Sequence, residues 1–216
     1  MLRCTVSREG WGTLLVLALF VALFAFLGFR SRDPLLLFFS LLTLLLFLLA
    51  LYFFRDPHRT VPRDPGVIVS PADGLVCAID EIEEPLFFEG RVKRVAIYLS
   101  LLDVHINYIP LSGTVEYARY FRGKHLRAGR PETSENNTRT FIGLSTERGR
   151  LAFKQIAGIV ARRVICRLRM GDRVVTGAKF GMIKFGSRVE LLLPPEISLN
   201  VQVGDRVRGG ESVIAA

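Results

Sequence analysis

Two hydrophobic patterns divide the chain. Residues 11–29 contain no charged side chain, and neither do residues 34–54, where Leu and Phe dominate. At about 1.5 Å rise per residue, helices of these lengths match a hydrocarbon layer about 30 Å thick. Only Arg30, Ser31, Arg32 and Asp33 separate them, so residues 1–54 are predicted to form a membrane anchor of two transmembrane helices that returns the chain to its starting side. After residue 54 the pattern changes. Residues 55–66, "RDPHRTVPRDPG", hold three prolines and no hydrophobic period, which predicts a linker. Short β-rich runs follow at residues 67–70, 75–82, 92–100, 104–109, 114–121, 140–145 and 151–156, with turn residues between several of them. This spacing predicts a mainly β barrel or sandwich over residues 67–216. Residues 124–139 are polar and read as an exposed loop, while residues 158–168 fit either a strand or a short helix.

One motif repeats. "GDRVVTG" at 171–177 recurs as "GDRVRGG" at 204–210, 33 residues later. Gly-Asp turns followed by Val and a second Gly suit tight hairpins in a flattened barrel. The pattern resembles biotinyl and lipoyl carrier domains, and implies a duplicated carrier-like β motif. The position at which such a domain would carry its modified Lys is here Ser187.

The net charge of +9 alters the picture modestly. Beyond residue 54 there are 25 Lys and Arg against 18 Asp and Glu. Beside a bilayer this excess favours anionic headgroups, although a solvated basic surface accounts for the charge equally well. A nucleic-acid partner is not expected, because no basic patch is interleaved with stacking aromatics. Arg3, Arg8, Arg55, Arg59 and Arg63 flank the apolar pair, against Arg30 and Arg32 between its members. The positive-inside rule therefore puts both termini, and the β domain at the cell membrane, on the cytoplasmic side. Cys4, Cys77 and Cys166 are odd in number and lack metal spacing, as expected of free thiols in a reducing compartment.

The stretch "KFGSRVE" at 184–190 interrupts strand-like sequence with Gly186 and Ser187. It reads as a turn, or as a reactive bond. A Ser after Gly can attack the preceding carbonyl, and Gly tolerates the backbone distortion required. Such chemistry needs a base and a group that orients it. His58 lies in the linker and His125 in the polar loop. His105, in "YLSLLDVHINYIP" at 98–110, reads either as a core histidine or as the base, and Asp73, in "SPADG" at 70–74, as an Asx-turn residue or as the orienting carboxylate.

"SPADG", the "DVHIN" stretch, "SENNTR", "QIAGIVARRVIC" and "FGMIKFGSRVELLLP" occur in this order. Together they resemble the phosphatidylserine decarboxylase family, in particular its short-chain bacterial and archaeal branch, which includes archaetidylserine decarboxylases. The likeness covers residues 55–216. It implies a precursor that cleaves itself between Gly186 and Ser187 into a β chain, 1–186, and an α chain, 187–216. Ser187 becomes a self-derived pyruvoyl group, with which the substrate amine forms a Schiff base. Asp73 matches the family's Asp, and His105 the first His of its strand motif. Longer members carry a second His where this chain has Tyr108, which leaves open whether His105 serves cleavage, decarboxylation or both. The expected partner is a phosphatidylserine or archaetidylserine substrate, with Lys184 and Arg188 proposed at its phosphate. No metal is expected, and a homo-oligomer is left open. The alternative from another class is a membrane-tethered, carrier-like binding module without catalysis.

Overall fold

The apolar runs fold as anticipated into α1 (Trp11–Ser31) and α2 (Pro34–Phe53), both long and apolar enough to cross a membrane. Their turn is encoded locally. Arg32 takes a left-handed conformation at φ 55°, and the Asp33 carboxylate accepts the Leu35 N–H at 2.9 Å, with Pro34 in the first helical turn. Along both helices most Leu and Phe side chains face outward, a surface suited to lipid rather than water. Strand β1 (Cys4–Val6) pairs antiparallel with β2 (Arg55–Pro57), and Ser7 N–H donates to Phe54 O at 2.8 Å, so the hairpin's two ends lie side by side. The stretch expected to be a linker thus begins with a strand. The computed structural model describes residues 4–64, 66–124, 126, 133–158, 164–184 and 186–216. It divides into the units Met1–His58 and Arg59–Ala216.

In the second unit β3 (Ile68–Val69) leads to β4 (Gly74–Glu84), β5 (Gly90–Leu99), β6 (Ile106–Tyr108), β7 (Gly113–Phe121), β8 (Arg139–Thr146) and β9 (Gly149–Ala157). The short helix α3 (Thr133–Asn136) lies in the stretch expected to be a loop. Then come β10 (Val164–Cys166), β11 (Arg173–Val174), β12 (Lys179–Ile183), β13 (Ser187–Leu193), β14 (Arg206–Val207) and β15 (Val213–Ala215). His125 and residues 159–163 lie outside the described residues; the described part of 158–168 contains a strand. Eight strands form one antiparallel sheet in the order β11-β7-β8-β9-β13-β5-β4-β14, curled into a half-barrel. A second sheet runs β10-β12-β6, and β15 pairs with β3.

Both faces of the large sheet are covered. On one, Ile97, Val95, Phe153, Leu191 and Ile142 belong to the main apolar core. On the other, Phe87, Phe141, Ala152 and Leu192 form a smaller cluster. Burial on both sides explains why all of β13, "SRVELLL", is buried, its Arg and Glu included. At about 25 cal/mol per Å² of apolar surface removed from water, this double covering favours the folded sheet.

The repeated motif has a structural counterpart. Gly171 N–H donates to Val115 O and Val115 N–H to Asp172 O, while Gly204 N–H donates to Val76 O and Val76 N–H to Asp205 O. These turns deliver β11 and β14, which are the two edges of the eight-stranded sheet. The repetition is one of edge turns and their bonding.

Candidate active site

Ser187 opens β13 between two neighbours, opposite Leu99 at the end of β5 and Ala157 at the end of β9. Its side chain is fully buried, and its Oγ has no hydrogen-bond partner among the described residues. Leaving a buried hydroxyl unpaired costs about 1–3 kcal/mol, an outlay that folded proteins seldom carry without a use for the group. Gly186 precedes it at φ +38°, a region open to Gly and strained for other residues. The peptide bond expected to break therefore joins a left-handed Gly to a sequestered, unengaged hydroxyl.

His105 sits just before β6. It is fully buried, and its Nδ1 lies 2.9 Å from Asp103 O. A carbonyl only accepts, so Nδ1 carries the proton, and in the neutral ring Nε2 is the basic nitrogen. The His105 carbonyl accepts from Ile183 N–H at the end of β12, just ahead of the Gly186–Ser187 junction. Asp103 is held in turn, its Oδ2 accepting from Ser100 N–H at 2.8 Å and Ser100 Oγ–H at 2.7 Å. A small apolar cluster, Ala72, Leu99, Ala157, Val164, Ile183 and Val189, underlies the region. It contains the residue before Asp73, both strand partners of Ser187 and the donor to His105, so the fold brings all three candidates to one neighbourhood.

Asp73 has an engagement that the sequence did not suggest. Its two oxygens each accept from Arg59 Nη2 at 2.7 Å, and Oδ1 also takes the Gly209 N–H at 2.8 Å. Arg59 reaches further, to Tyr108 Oη at 3.4 Å and to Glu211 at 3.5 Å. Burial pushes the Asp73 carboxyl above the ordinary aspartate range, outweighing the downward pull of Arg59 and Gly209 N–H. Burial also opposes the charge on Arg59, yet Asp73 and Tyr108 together hold the guanidinium more firmly protonated than usual. Tyr108 is fully buried against Gly209 and Gly210.

The phosphate assignment divides. Lys184 is half-buried at the end of β12. Arg188 is buried, and the alternation of β13 turns it to the face opposite Ser187, where its Nε lies 3.0 Å from Glu190. Glu190 also accepts from Ser134 and approaches Arg94, which is paired with Asp80. Arg188 is thereby committed to a buried charge network behind the sheet. Sequence reading also missed a buried chain of polar groups on the Ser187 face. Thr140 Oγ1 donates to Gln155 Oε1 and Gln155 Nε2 to Asn107 Oδ1, each at 2.8 Å, while Asn137 Nδ2 donates to the carbonyl of Ala157, the strand partner of Ser187. Asn107, in β6, stands two residues after His105, a spacing that could have flagged it.

Comparison with known proteins gives the family. The family model described as phosphatidylserine decarboxylase matches residues 46–215. A relative from Salinibacter ruber is 51% identical over 167 residues, spanning 76% of this chain and 74% of the relative. One from Symbiobacterium thermophilum is 42% identical over 218 residues, 99% of this chain and 96% of its own length, and one from Chlorobium phaeobacteroides 41% over 210 residues, 97% and 98%. Each of the three is named phosphatidylserine decarboxylase proenzyme. With the family model covering most of its length and these relatives matching both ends of the β domain, the chain belongs to the phosphatidylserine decarboxylase family.

Proposed function

We propose that the chain is a self-processing, pyruvoyl-dependent decarboxylase that converts phosphatidylserine, or its archaeal ether counterpart, to the ethanolamine lipid and CO2. The observation that carries this reading is the Gly186–Ser187 junction, a left-handed Gly followed by a fully buried hydroxyl without a hydrogen-bond partner among the described residues. In the first step Ser187 Oγ adds to the Gly186 carbonyl carbon and the C–N bond breaks, so that an ester replaces the amide with no atom gained or lost. A base then takes the Ser187 Cα proton, the Cβ–O bond breaks and the Gly186 carboxylate departs as the end of the larger chain. Water replaces the nitrogen of the dehydroalanine left at 187, ammonia leaves, and a pyruvoyl end remains. A buried, unengaged Ser187 at the head of a strand fits this product.

His105 is assigned as the base, acting through Nε2 while Nδ1 stays committed to Asp103 O. The same residue, once protonated, is assigned to return a proton to the carbon that loses CO2, a contribution of about 10²- to 10⁴-fold for a positioned acid. Asp73, fixed by Arg59 and Gly209, supplies a stationary negative charge beside these steps. The pyruvoyl group supplies an electron sink for the pair left behind by CO2. Lys184 is assigned to the headgroup phosphate. The apolar hairpin is read as a membrane anchor, with the β domain on the cytoplasmic side and the basic surface against anionic lipid.

The test is decarboxylation by the full-length protein in vesicles containing phosphatidylserine, beside a Ser187→Ala variant. The reading requires release of CO2 and ethanolamine lipid by the first and neither by the second. A folded wild-type chain without activity would favour the binding-module alternative.

A further inference from the structure

We infer that Arg59 is a positioning residue for this reaction, one that fixes Asp73 as an ion and ties the segment following the apolar hairpin to the C-terminal segment beyond the cleavage point. The inference rests on the self-processing reading above. Arg59 lies outside every motif singled out in the sequence, yet its side chain is only 8% exposed. Both Asp73 oxygens lie 2.7 Å from its Nη2. Its Nη1 is 3.5 Å from Glu211, and the same carboxylate's other oxygen accepts the Thr60 N–H at 2.9 Å. Glu211 and Gly209 belong to the smaller chain after cleavage at 186, whereas Arg59, Thr60 and Asp73 belong to the larger. The Arg59–Asp73–Glu211 cluster therefore spans the two products and would hold them in register once the covalent link is gone.

The chemistry at position 108 sharpens the role. Arg59 Nε approaches Tyr108 Oη at 3.4 Å, and the guanidinium lies 5.7 Å from the ring centre. A guanidinium is a donor only and does not give up its proton in a protein. Arg59 therefore neither takes a proton from Asp73 nor gives it one; it acts by placing the carboxylate and opposing its protonation against the effect of burial. The groups facing Asp73 are Arg59 and Gly209 N–H, with Tyr108 and Glu211 reached by Arg59 and Asp103 adding like charge from the turn before His105.

The experiment follows cleavage in time during cell-free synthesis of the full chain into nanodiscs, over a series of pH values, for wild type, Arg59→Ala and Arg59→Lys. Asp73 must be ionised to act, and burial already raises its proton affinity. Removing the guanidinium raises that affinity further, so the acid limb of the rate should move to higher pH in Arg59→Ala. The rate itself should fall about a hundredfold, the scale of losing precise placement, and millimolar guanidinium ion should restore part of it. Arg59→Lys keeps a cation without the paired geometry and should fall between the two. A slow Arg59→Ala with an unmoved acid limb and no response to guanidinium would overturn the inference and leave Arg59 merely structural. Where Arg59→Ala does not fold, Arg59→Lys decides: a slowed rate with a shifted acid limb in a folded protein supports the role, and a slowed rate with an unmoved limb, or wild-type rate and pH dependence, refutes it. If wild type itself is not cleaved, the underlying reading fails; if wild type is cleaved and decarboxylates while both variants match it, only this inference fails.

Discussion

The two edges of the large sheet are built to one plan and differ in what that plan carries. At one edge β4 starts at Gly74, and at the other β7 starts at Gly113; a Cβ at either Gly would come within 2.2 Å of Tyr98 O or 2.3 Å of Ser145 O. The two lead-in segments bond each other reciprocally, Val69 N–H to Pro110 O and Tyr108 N–H to Pro71 O, both at 2.9 Å. Each receives a Gly-Asp-Arg-Val turn, with Gly210 N–H donating to Ser70 O on one side and Gly177 N–H to Ile109 O on the other, both at 2.8 Å. Even one side-chain bond is repeated: Gly209 N–H donates to Asp73 Oδ1 at 2.8 Å, and Thr176 N–H to Ser112 Oγ at 2.9 Å. The difference lies in the acceptor and its company. Ser112 is neutral and closes a local loop of bonds with Thr176. Asp73 is charged and half-buried beside Arg59, with the Tyr108 ring packed where Gly209 leaves room. A turn that is structural at one edge becomes a charged device at the other through an acid, a glycine and an arginine brought in from a distant segment.

Exchanging features between the edges tests this directly. The largest effect is expected from Asp73→Ser, which copies the second edge onto the first. It removes the nearest anion from the Arg59 cation, leaving Glu211 at 3.5 Å, and should cost about 3 kcal/mol of stability, measured by denaturant titration of the β unit's signal in the full chain, together with loss of cleavage. Next comes Gly209→Thr, the residue found at 176. A Cβ there would meet the Tyr108 ring at 2.6 Å, and overpacking should cost about 1–3 kcal/mol and slow cleavage. The pH dependence of cleavage should follow Asp73. Its folded-state proton affinity is raised, so cleavage should fall on acidification at a pH above that of an exposed aspartate, and Asp73→Asn should remove that limb along with most of the rate. The smallest effect is expected from Ser112→Ala, at an exposed bond network on the second edge, with about 1 kcal/mol or less of stability lost and cleavage unchanged in a gel time course. Equal consequences at both edges would dissolve the distinction.

Much of this architecture could be read from residue order. The strands from β3 to β9 follow short β-rich runs bounded by turn residues, and the hairpin follows from two uncharged stretches joined by "RSRD". The repeat announced that two turns were alike, though not that they sit at opposite sheet edges, because edge position is decided by pairings far apart in sequence. Asp73, His105 and the Gly186–Ser187 junction were visible through motif likeness. Arg59 was hidden for a physical reason: it sits in a Pro-rich stretch without hydrophobic period, where an Arg reads as solvated, and its burial depends on Asp73 and Glu211, neither of them a near neighbour. The surroundings of Arg188 were hidden for the opposite reason. Next to the reactive Ser it resembled a phosphate ligand, but strand alternation turns it to the far face, where Glu190 takes its charge.

The central claim is that Gly186–Ser187 is a bond made to break. The most direct measurement is the intact mass of the purified full-length protein beside Ser187→Ala. The account predicts two chains for wild type, the smaller beginning at 187 with a pyruvoyl mass in place of serine, and a single uncut chain for the variant. An uncut wild-type chain of 216 residues from a folded, membrane-reconstituted sample would contradict it.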